Sequence, residues 1–544
     1  KDGSIDLYAE VEGLSGGSTL SSSRVIVEVA SSLQALGVSA DAADMWPLIT
    51  KALLRIPLAD LEARTVTALL NTVARSSQLR EHLLPDTRQK LLNYLLEATK
   101  IGVFGRVGGG GWDVVDGALV GMLLNGLSKN ALYDLPLFQR LSKHLQAHDL
   151  REPLNMHQCA MVASSFARAD LRDPALFAFL SSRVLELART RQSMAVPAIA
   201  LLLNAFARLS EFETVLGAEV FLLLGDVLAE VDVRAQRVSA VHAASIANAY
   251  AKAHVRHDSL WRMLTASILS HPPESLDFRA VANLMHALAV LHVVDLSLLA
   301  FLEDCLVSLP LDAASPQGAA NVVWSVAVLD PIHVLNSNRR SLKNKSSDPR
   351  LQKYLAELIR YHTSAFDVSC LSQVHQYLMS LRMMTASDTL ARAPKHSDTQ
   401  LCEVLAEAGD TKHELLEQEA LKAFTEGTLE VSVSSGQQAD VGRALEALGI
   451  EFVSEFVDPL TGYSYDFWIP AHAMALEFDG PFHFCRGTRR PLGSTILKHR
   501  HIQQSGHVLV AIPYWEWGRE VTLEAKQQVV TARMARALSH RRVE

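Results

Sequence analysis

The sequence predicts a mainly α protein: an α-solenoid of about nine helix-pair repeats, followed by a small α/β domain. Three observations point there. A five-residue pattern returns with a period near 40 through the first 385 residues. Each period holds two apolar stretches at helical spacing, the signature of a stacked helix pair. Beyond residue 400 that periodicity gives way to short β-type runs bounded by turn residues.

Size and composition agree. A chain of 544 residues exceeds one ordinary core and calls for several domains or an extended array. Hydrophobic residues make up 49% and charged residues 20%, which is core-forming and not disordered. The net charge of −8 gives no global positive field, so any nucleic-acid contact must rest on local patches or on a larger assembly. Cys159, Cys305, Cys370, Cys402 and Cys485 lie far apart and form no CxxC pair, which argues against a disulfide framework or a zinc ribbon and fits a reducing compartment. No apolar run reaches the ~20 residues of a membrane span. The first residue is Lys1 and not Met, so a processed or trimmed product is expected, with any targeting segment already removed.

The repeat pattern is a polar residue, a small one, a bulky apolar one, a small one and then often a base. It reads Asn71-Thr72-Val73-Ala74-Arg75, Asn125-Gly126-Leu127-Ser128-Lys129 and Ser164-Ser165-Phe166-Ala167-Arg168. Next come Asn204-Ala205-Phe206-Ala207-Arg208 and Asn248-Ala249-Tyr250-Ala251-Lys252. Weaker copies start at His286 and Trp324, with degenerate ones at Ser31–Ala35 and His375–Met379. Six of the eight intervals lie between 38 and 44 residues. The two long intervals carry insertions near 102–116, with the glycine run Gly108–Gly111, and near 330–350, with the polar, basic Asn336–Arg350. In one unit, Ser239–Ala253 reads as a helix with Val241, Ala244, Ser245 and Ala249 on its inner face. Its partner Ser259–Leu269 aligns Leu260, Met263, Leu264 and Ile268. The small residues let neighbouring helices approach closely.

In a solenoid, equivalent positions line up. Arg75, Lys129, Arg168, Arg208 and Lys252 would then form a ridge able to track phosphates, with the polar first positions facing bases. The alternative is structural: a cation near a helix C-terminus is favoured by the macrodipole, and the polar residue bonds the next repeat. The later copies carry Val290 and Val328 instead, which confines any ridge to the N-terminal repeats.

Residues 386–399 read as a linker, and residues 400–544 as the C-terminal region with its α/β core at 450–520. Gln400–Glu426 is helix-like, Leu429–Ser434 alternates as a strand, and Asp440–Leu448 is a helix capped by Gly449. A hairpin follows: strand Ser464–Ile469, turn Pro470–Ala473, strand Met474–Phe478. Helix Ser494–Ser505, with Ser494 as its N-cap and Gly506 as its stop, leads to strand His507–Ile512 and a final helix Val521–Ala537. The order is α-β-β-α-β-α. Asp466, Glu477 and Asp479 sit on adjacent strands, the last two on one face. Such a trio would hold Mg²⁺ for phosphodiester hydrolysis. The stretch Arg486–Arg500 carries five cations (Arg486, Arg489, Arg490, Lys498, Arg500) near Phe482, His483, Phe484, Trp515 and Trp517. Cations interleaved with aromatics suit single-stranded RNA, although the two tryptophans would equally anchor the last strand.

Several blocks carry a family likeness. Tyr465-Asp466-Phe467, Leu476-Glu477-Phe478-Asp479-Gly480-Pro481-Phe482-His483-Phe484, Thr495-Ile496-Leu497-Lys498-His499-Arg500, Gly506-His507-Val508 and Ile512-Pro513-Tyr514-Trp515-Glu516-Trp517 occur in the order found in the RAP domain, which this region closely resembles over residues 463–520. RAP proteins of the apicomplexan and algal organellar type join helical repeats to such a module. The resemblance implies a restriction-endonuclease-like fold and an RNA-binding role in mitochondria or plastids. The related nucleases use Asp followed by Glu-x-Lys. Here position 479 is Asp, Lys498 is the substitute base or charge partner, and His483 would assist as in mismatch-nicking enzymes. The rival reading pairs the carboxylates with Arg486, Arg489, Arg490, Lys498 or Arg500 to support a non-catalytic platform. The expectation is therefore binding over cutting, with no cofactor, Mg²⁺ entering only for a nuclease. The function expected is that of a mitochondrial-matrix protein, plastid being the second choice. It would bind rRNA as a component or assembly factor of the mitochondrial ribosome, beside ribosomal proteins and no membrane. The rivals are a metal-dependent ribonuclease or RNA-processing factor, and a protein-only scaffold.

Overall fold

The computed structural model describes residues 50–51, 53–75, 85–104, 116–147, 152–192, 194–210, 219–231, 238–329, 349–391, 411–431, 436–518 and 522–541. Ser31–Ala35, Gly108–Gly111 and residues 336–348 lie outside them. Among the described residues there are 19 α-helices and one four-stranded sheet, and no helix is long and apolar enough to cross a membrane. The chain forms two compact units, Lys1–Glu230 and Val231–Glu544.

The first unit contains helices α1 (Ala63–Arg75), α2 (Pro85–Phe104), α3 (Gly117–Lys129), α4 (Leu135–Gln146), α5 (Met156–Arg168), α6 (Pro174–Arg189), α7 (Val196–Ser210) and α8 (Glu219–Ala229). The motif-bearing helices α1, α3, α5 and α7 stack side by side, and their partners α2, α4, α6 and α8 form a second layer. Short polar caps start the helices: Asp116, Asp134 and Asp173 accept backbone N–H groups, and Asn155 with Gln158 closes a reciprocal cap. The expected need for small residues is met at Gly126, where a Cβ would lie 2.8 Å from Leu70 Cβ. Edge-on pairs Phe138–Phe166 and Phe177–Phe206 tie the layers together.

The second unit opens with α9 (Ala240–Lys252), α10 (Asp258–Leu269), α11 (Phe278–Val290), α12 (Leu296–Ser308), α13 (Pro316–Leu329), α14 (Pro349–His362) and α15 (Val368–Ala391), arranged in the same two layers. The predicted inner face of α9 needs correction. Val241 is 55% exposed, and the buried stripe runs through Ala243, Ala244, Ile246, Ala247 and Tyr250. A helix packed between two neighbours and a partner is rotated by its bulkiest residues, here Ile246 and Tyr250. The stripe Leu260, Met263, Leu264 and Ile268 is buried as expected.

One feature of the repeats has no glycine to advertise it. Ala131, Asp170, His254 and His292 occupy the same place, two residues past the pattern, each with φ between 45° and 55°. There the chain closes a left-handed C-terminal turn. In the third case His254 N donates to Ala251 O and Val255 N to Tyr250 O, both at 3.0 Å. The next residue is always apolar (Leu132, Leu171, Val255, Val293) and seats on the helix it follows. Two hydrogen bonds and that contact hold a conformation that costs a side chain roughly 1–2 kcal/mol.

After α15 come α16 (Thr411–Val431), α17 (Gly436–Ala447), β1 (Val453–Val457), β2 (Ser464–Ile469), β3 (Met474–Asp479), α18 (Gly493–Gln504), β4 (Val508–Pro513) and α19 (Leu523–Arg541). Strand order is β1-β2-β3-β4; β3 and β4 are parallel, joined through α18, and the other pairs are antiparallel. One face of the sheet (Phe467, Leu476, Phe478, Val510, Ile512) packs on α17 and α19 with Trp517. The other face is covered by α18, with Tyr465 and Ala475 beside Ile502 and the α15 residue Met379.

Four expectations fail. Residues 429–431 continue α16, because Leu416, Ala420 and Ala423 bury that helix against α15, and packing overrides local alternation. Strand β1 was not expected; it is an edge strand with little burial, and Glu455 at φ 50 interrupts its pattern. Residues 386–391 belong to α15 and not to a linker, since α15 has α16 to pack against. Ser494 is not the N-cap: α18 starts at Gly493 behind Leu492, with no side-chain cap. By contrast Gly449 and Gly506, at φ 68 and 84, end their helices as expected.

Candidate nucleic-acid interface

The sheet register carries Asp466 next to Glu477, and Asp479 follows two residues on, so all three carboxylates project toward α18. Lys498, one turn into that helix, meets them. Its ammonium lies 2.5 Å from Glu477 Oε2. Glu477 is only 2% exposed, and burial, aided by Asp466, pushes its carboxyl up to about 8. Burial likewise lifts Asp466 to about 6. Burial works against the Lys498 charge, yet Glu477, Asp466 and Asp479 together hold it above its ordinary value. With its carboxyl raised to about 8, Glu477 keeps its proton near neutrality.

Part of this arrangement is already committed within the module. Asp466 Oδ2 accepts the Phe478 N–H at 2.6 Å, and its Oδ1 accepts from Gln438 Nε2 at 3.2 Å. Lys498 occupies Oε2 of Glu477, while Glu477 Oε1 and Asp479 Oδ1 are buried without a hydrogen-bond partner. Among the described residues no group of three or more His, Cys, Asp or Glu is disposed to hold a metal ion. Asp479 Oδ1 lies 3.4 Å from His483 Nδ1 and 3.5 Å from His499 Nε2, too far for full hydrogen bonds. Burial holds the His483 imidazole below its usual value.

The predicted basic stretch divides sharply. Arg500 caps α13, its guanidinium donating to Ala327 O and Val328 O. Arg490 pairs with Asp258 at 3.0 Å, and the Arg486 N–H donates to His254 O at 2.8 Å. Lys498 is held inside the module. Arg489 alone faces outward over an aromatic surface: its guanidinium stands 5.3 Å from the Trp515 ring, which meets Phe484 edge-on. Phe482, 80% exposed, and the half-buried His483 belong to the same loop. Trp515 is half-buried, while Trp517 is a core residue whose indole N–H donates to Asp440.

Sequence reasoning missed how the α/β module seats on the repeats. Its contacts follow the C-terminal ends of α9, α11 and α13 (His254 O, Ala289 O, Ala327 O and Val328 O) and then reach Ser380 in the middle of α15. A polar chain runs through the seat. Trp324 Nε1 donates to Gln376 Oε1 at 2.6 Å, Gln376 Nε2 donates to the Tyr463 hydroxyl at 3.1 Å, and His501 bridges that hydroxyl and Ser380 Oγ. Burial pushes His501 down to about 3, so it is neutral between two hydroxyls. Gly493 is the closest approach. The one signal in sequence was the loss of the repeat cation at Val290 and Val328, where the module covers the ridge.

In the first unit the ridge stays open. Arg75 and Lys129 are exposed, and Arg168 reaches back to Ser128 Oγ at 3.0 Å and Asn125 Oδ1 at 3.0 Å. Burial, with Arg168 and Arg75 beside it, holds Lys129 below its ordinary value. Arg208 pairs loosely with Asp170 at 3.9 Å. Lys252, in the second unit, is exposed and lies beside His286, which burial lowers to about 4.

The RAP domain family model matches residues 476–530. A RAP domain-containing protein, chloroplastic, of Oryza sativa subsp. japonica is 34% identical over 109 residues, which is 20% of this chain. The match spans 16% of that relative's length. Most of β3, the α18 crossover, β4 and Trp517 fall within residues 476–530, and the C-terminal module of this chain is a RAP domain.

Proposed function

We propose that this protein is an organellar RNA-binding protein that engages RNA through the open cation ridge of its first repeats and the Arg489–Trp515 face of its RAP domain. The observation that carries the reading is Lys129 flanked by Arg75 and Arg168. Like charges gathered on an exposed edge of an otherwise acidic chain are stabilised by a polyanion and by little else. The RAP domain supports the same reading, being an RNA-associated module. The destination we favour is the mitochondrial matrix, with rRNA as ligand and a place in or around the mitochondrial ribosome, among its proteins. The rice relative is named as chloroplastic, so plastid is the second destination.

The test is ultraviolet crosslinking of the native protein followed by sequencing of bound RNA, with gradient fractionation. Organellar rRNA crosslinked to peptides containing Lys129 or Arg489, in ribosomal fractions, is the expected result. Organellar RNA of another kind would retain RNA binding and remove the ribosomal part. Absence of any crosslink would refute the reading and leave a protein-docking scaffold.

A further inference from the structure

This inference rests on the RNA-binding reading and deepens it. The polar first position of each repeat is the residue that would read bases if the array followed a one-base-per-repeat code. In the first unit those residues are committed to the array itself. Asn71 Nδ2 donates to Thr67 O and, across the repeat, to Met122 O, both at 2.9 Å. Asn71 Oδ1 accepts from Asn125 Nδ2 at 2.8 Å, and Asn125 Oδ1 accepts from Arg168 Nη2 at 3.0 Å. The ladder Asn71–Asn125–Arg168 thus joins three repeats through both ends of two amides. Ser164 donates to Met161 O and Asn204 to Ala200 O within their own helices. What remains outward is charge: Arg75 and Lys129 are exposed, and among the described residues neither sits in an ion pair.

We infer that the first unit holds a single RNA strand by its phosphates alone and is blind to base identity, leaving any sequence preference to the RAP domain. Stacked helices lie roughly 8–10 Å apart. Arg75 and Lys129, on the adjacent helices α1 and α3, then stand roughly 10 Å apart in single file, which matches one backbone and not the two backbones of a duplex groove.

The experiment uses the full chain and fluorescence anisotropy with labelled oligouridylate, oligoadenylate and oligocytidylate of equal length across a salt series. Each phosphate contact to a single strand contributes about 0.7 to the salt slope. Arg75→Gln/Lys129→Gln is expected to flatten the slope by about 1.4 and to weaken binding about 25-fold near 0.1 M salt, equally for all three oligomers. Asn125→Ala is expected to lower the melting temperature through the lost ladder and to leave the ranking of oligomers unchanged. A changed ranking in either variant would overturn the inference, as would stronger, equally variant-sensitive binding of a duplex. If wild type binds and the double variant, folded by circular dichroism, binds the same, the ridge is not the contact, and the RNA-binding reading stands on the RAP domain alone. If wild type binds none of the oligomers and crosslinks to no RNA, both readings fall together.

Discussion

Gly493 is the residue on which the seating of the RAP domain depends most directly. It is the first residue of α18, and a Cβ placed there would lie 1.9 Å from Ala289 O, 2.8 Å from Val328 Cγ1 and 2.9 Å from Ala289 C. Two of these are backbone atoms of α11, which cannot swing aside. Relieving the contact to an ordinary C···O distance of about 3.3 Å needs a shift of about 1.4 Å. That shift would pull Arg500 off Ala327 O and Val328 O and lengthen the His501–Ser380 bond. Overpacking of this kind costs about 1–3 kcal/mol, and backbone partners place it at the upper end. Replacing glycine in a helix works the other way, by up to about 1 kcal/mol, and by less at a first helical residue. The clash wins, and Gly493→Ala should lose about 2 kcal/mol, about thirtyfold in the folded ratio. The assay is the urea midpoint of the full chain together with hydrogen exchange across Gly493–Gln504. Gly480→Ala is the control, since a Cβ there meets nothing within 4 Å. A Gly493→Ala protein as stable as wild type, with unchanged exchange in α18, would refute the reasoning.

Lys498→Met should cost about 3–5 kcal/mol, because it leaves the buried carboxylates without their cation, and Glu477→Gln in the same chain should restore part of it; thermal melts of the four proteins close the cycle. The pH dependence has a definite sign. Burial raises the Glu477 carboxyl to about 8 in the folded state from its ordinary 4.5, so the folded state binds more protons between those limits and stability falls as pH rises through them. Denaturation midpoints of wild type minus Glu477→Gln should show that fall, and a pH-independent difference would contradict it. His501 acts oppositely: held near 3 when folded and 6.5 when free, it leaves the unfolded state with more protons below about 6.5, and its contribution is lost on acidification; His501→Gln should lessen that acid lability in the same titration. Arg489→Gln, at an exposed cation–π pair, should change stability by less than about 1 kcal/mol while weakening RNA binding severalfold by anisotropy; unaltered affinity would remove this face from the RNA contact.

Much of the scaffold was legible. A hydrophobic period of 3.6 inside a longer period near 40 specifies helix pairs that must stack, and the structure has them in two layers. Strand Ser464–Ile469 and the helix ends at Gly449 and Gly506 were read from patterns a few residues long, and such patterns act locally. Residues 429–431 and β1 were missed for the converse reason: there the decision belongs to packing on α15 and to pairing with β2, contacts that lie outside each segment itself.

The sequence by itself determined the stacked array, the presence of the RAP domain, and the gathering of Asp466, Glu477 and Asp479 on adjoining strands, because periodicity and alternation place side chains on faces whatever lies opposite. Only the tertiary structure decided what each charge does. Arg500 and Arg490 were as eligible for phosphate as Arg489, yet they meet the end of α13 and Asp258, while Lys498 turns inward to Glu477. Cations have many possible partners, and the choice among them is made by elements as far as 232 residues apart in the chain, as Asp258 and Arg490 are. Packing brings those together, and no local pattern records it.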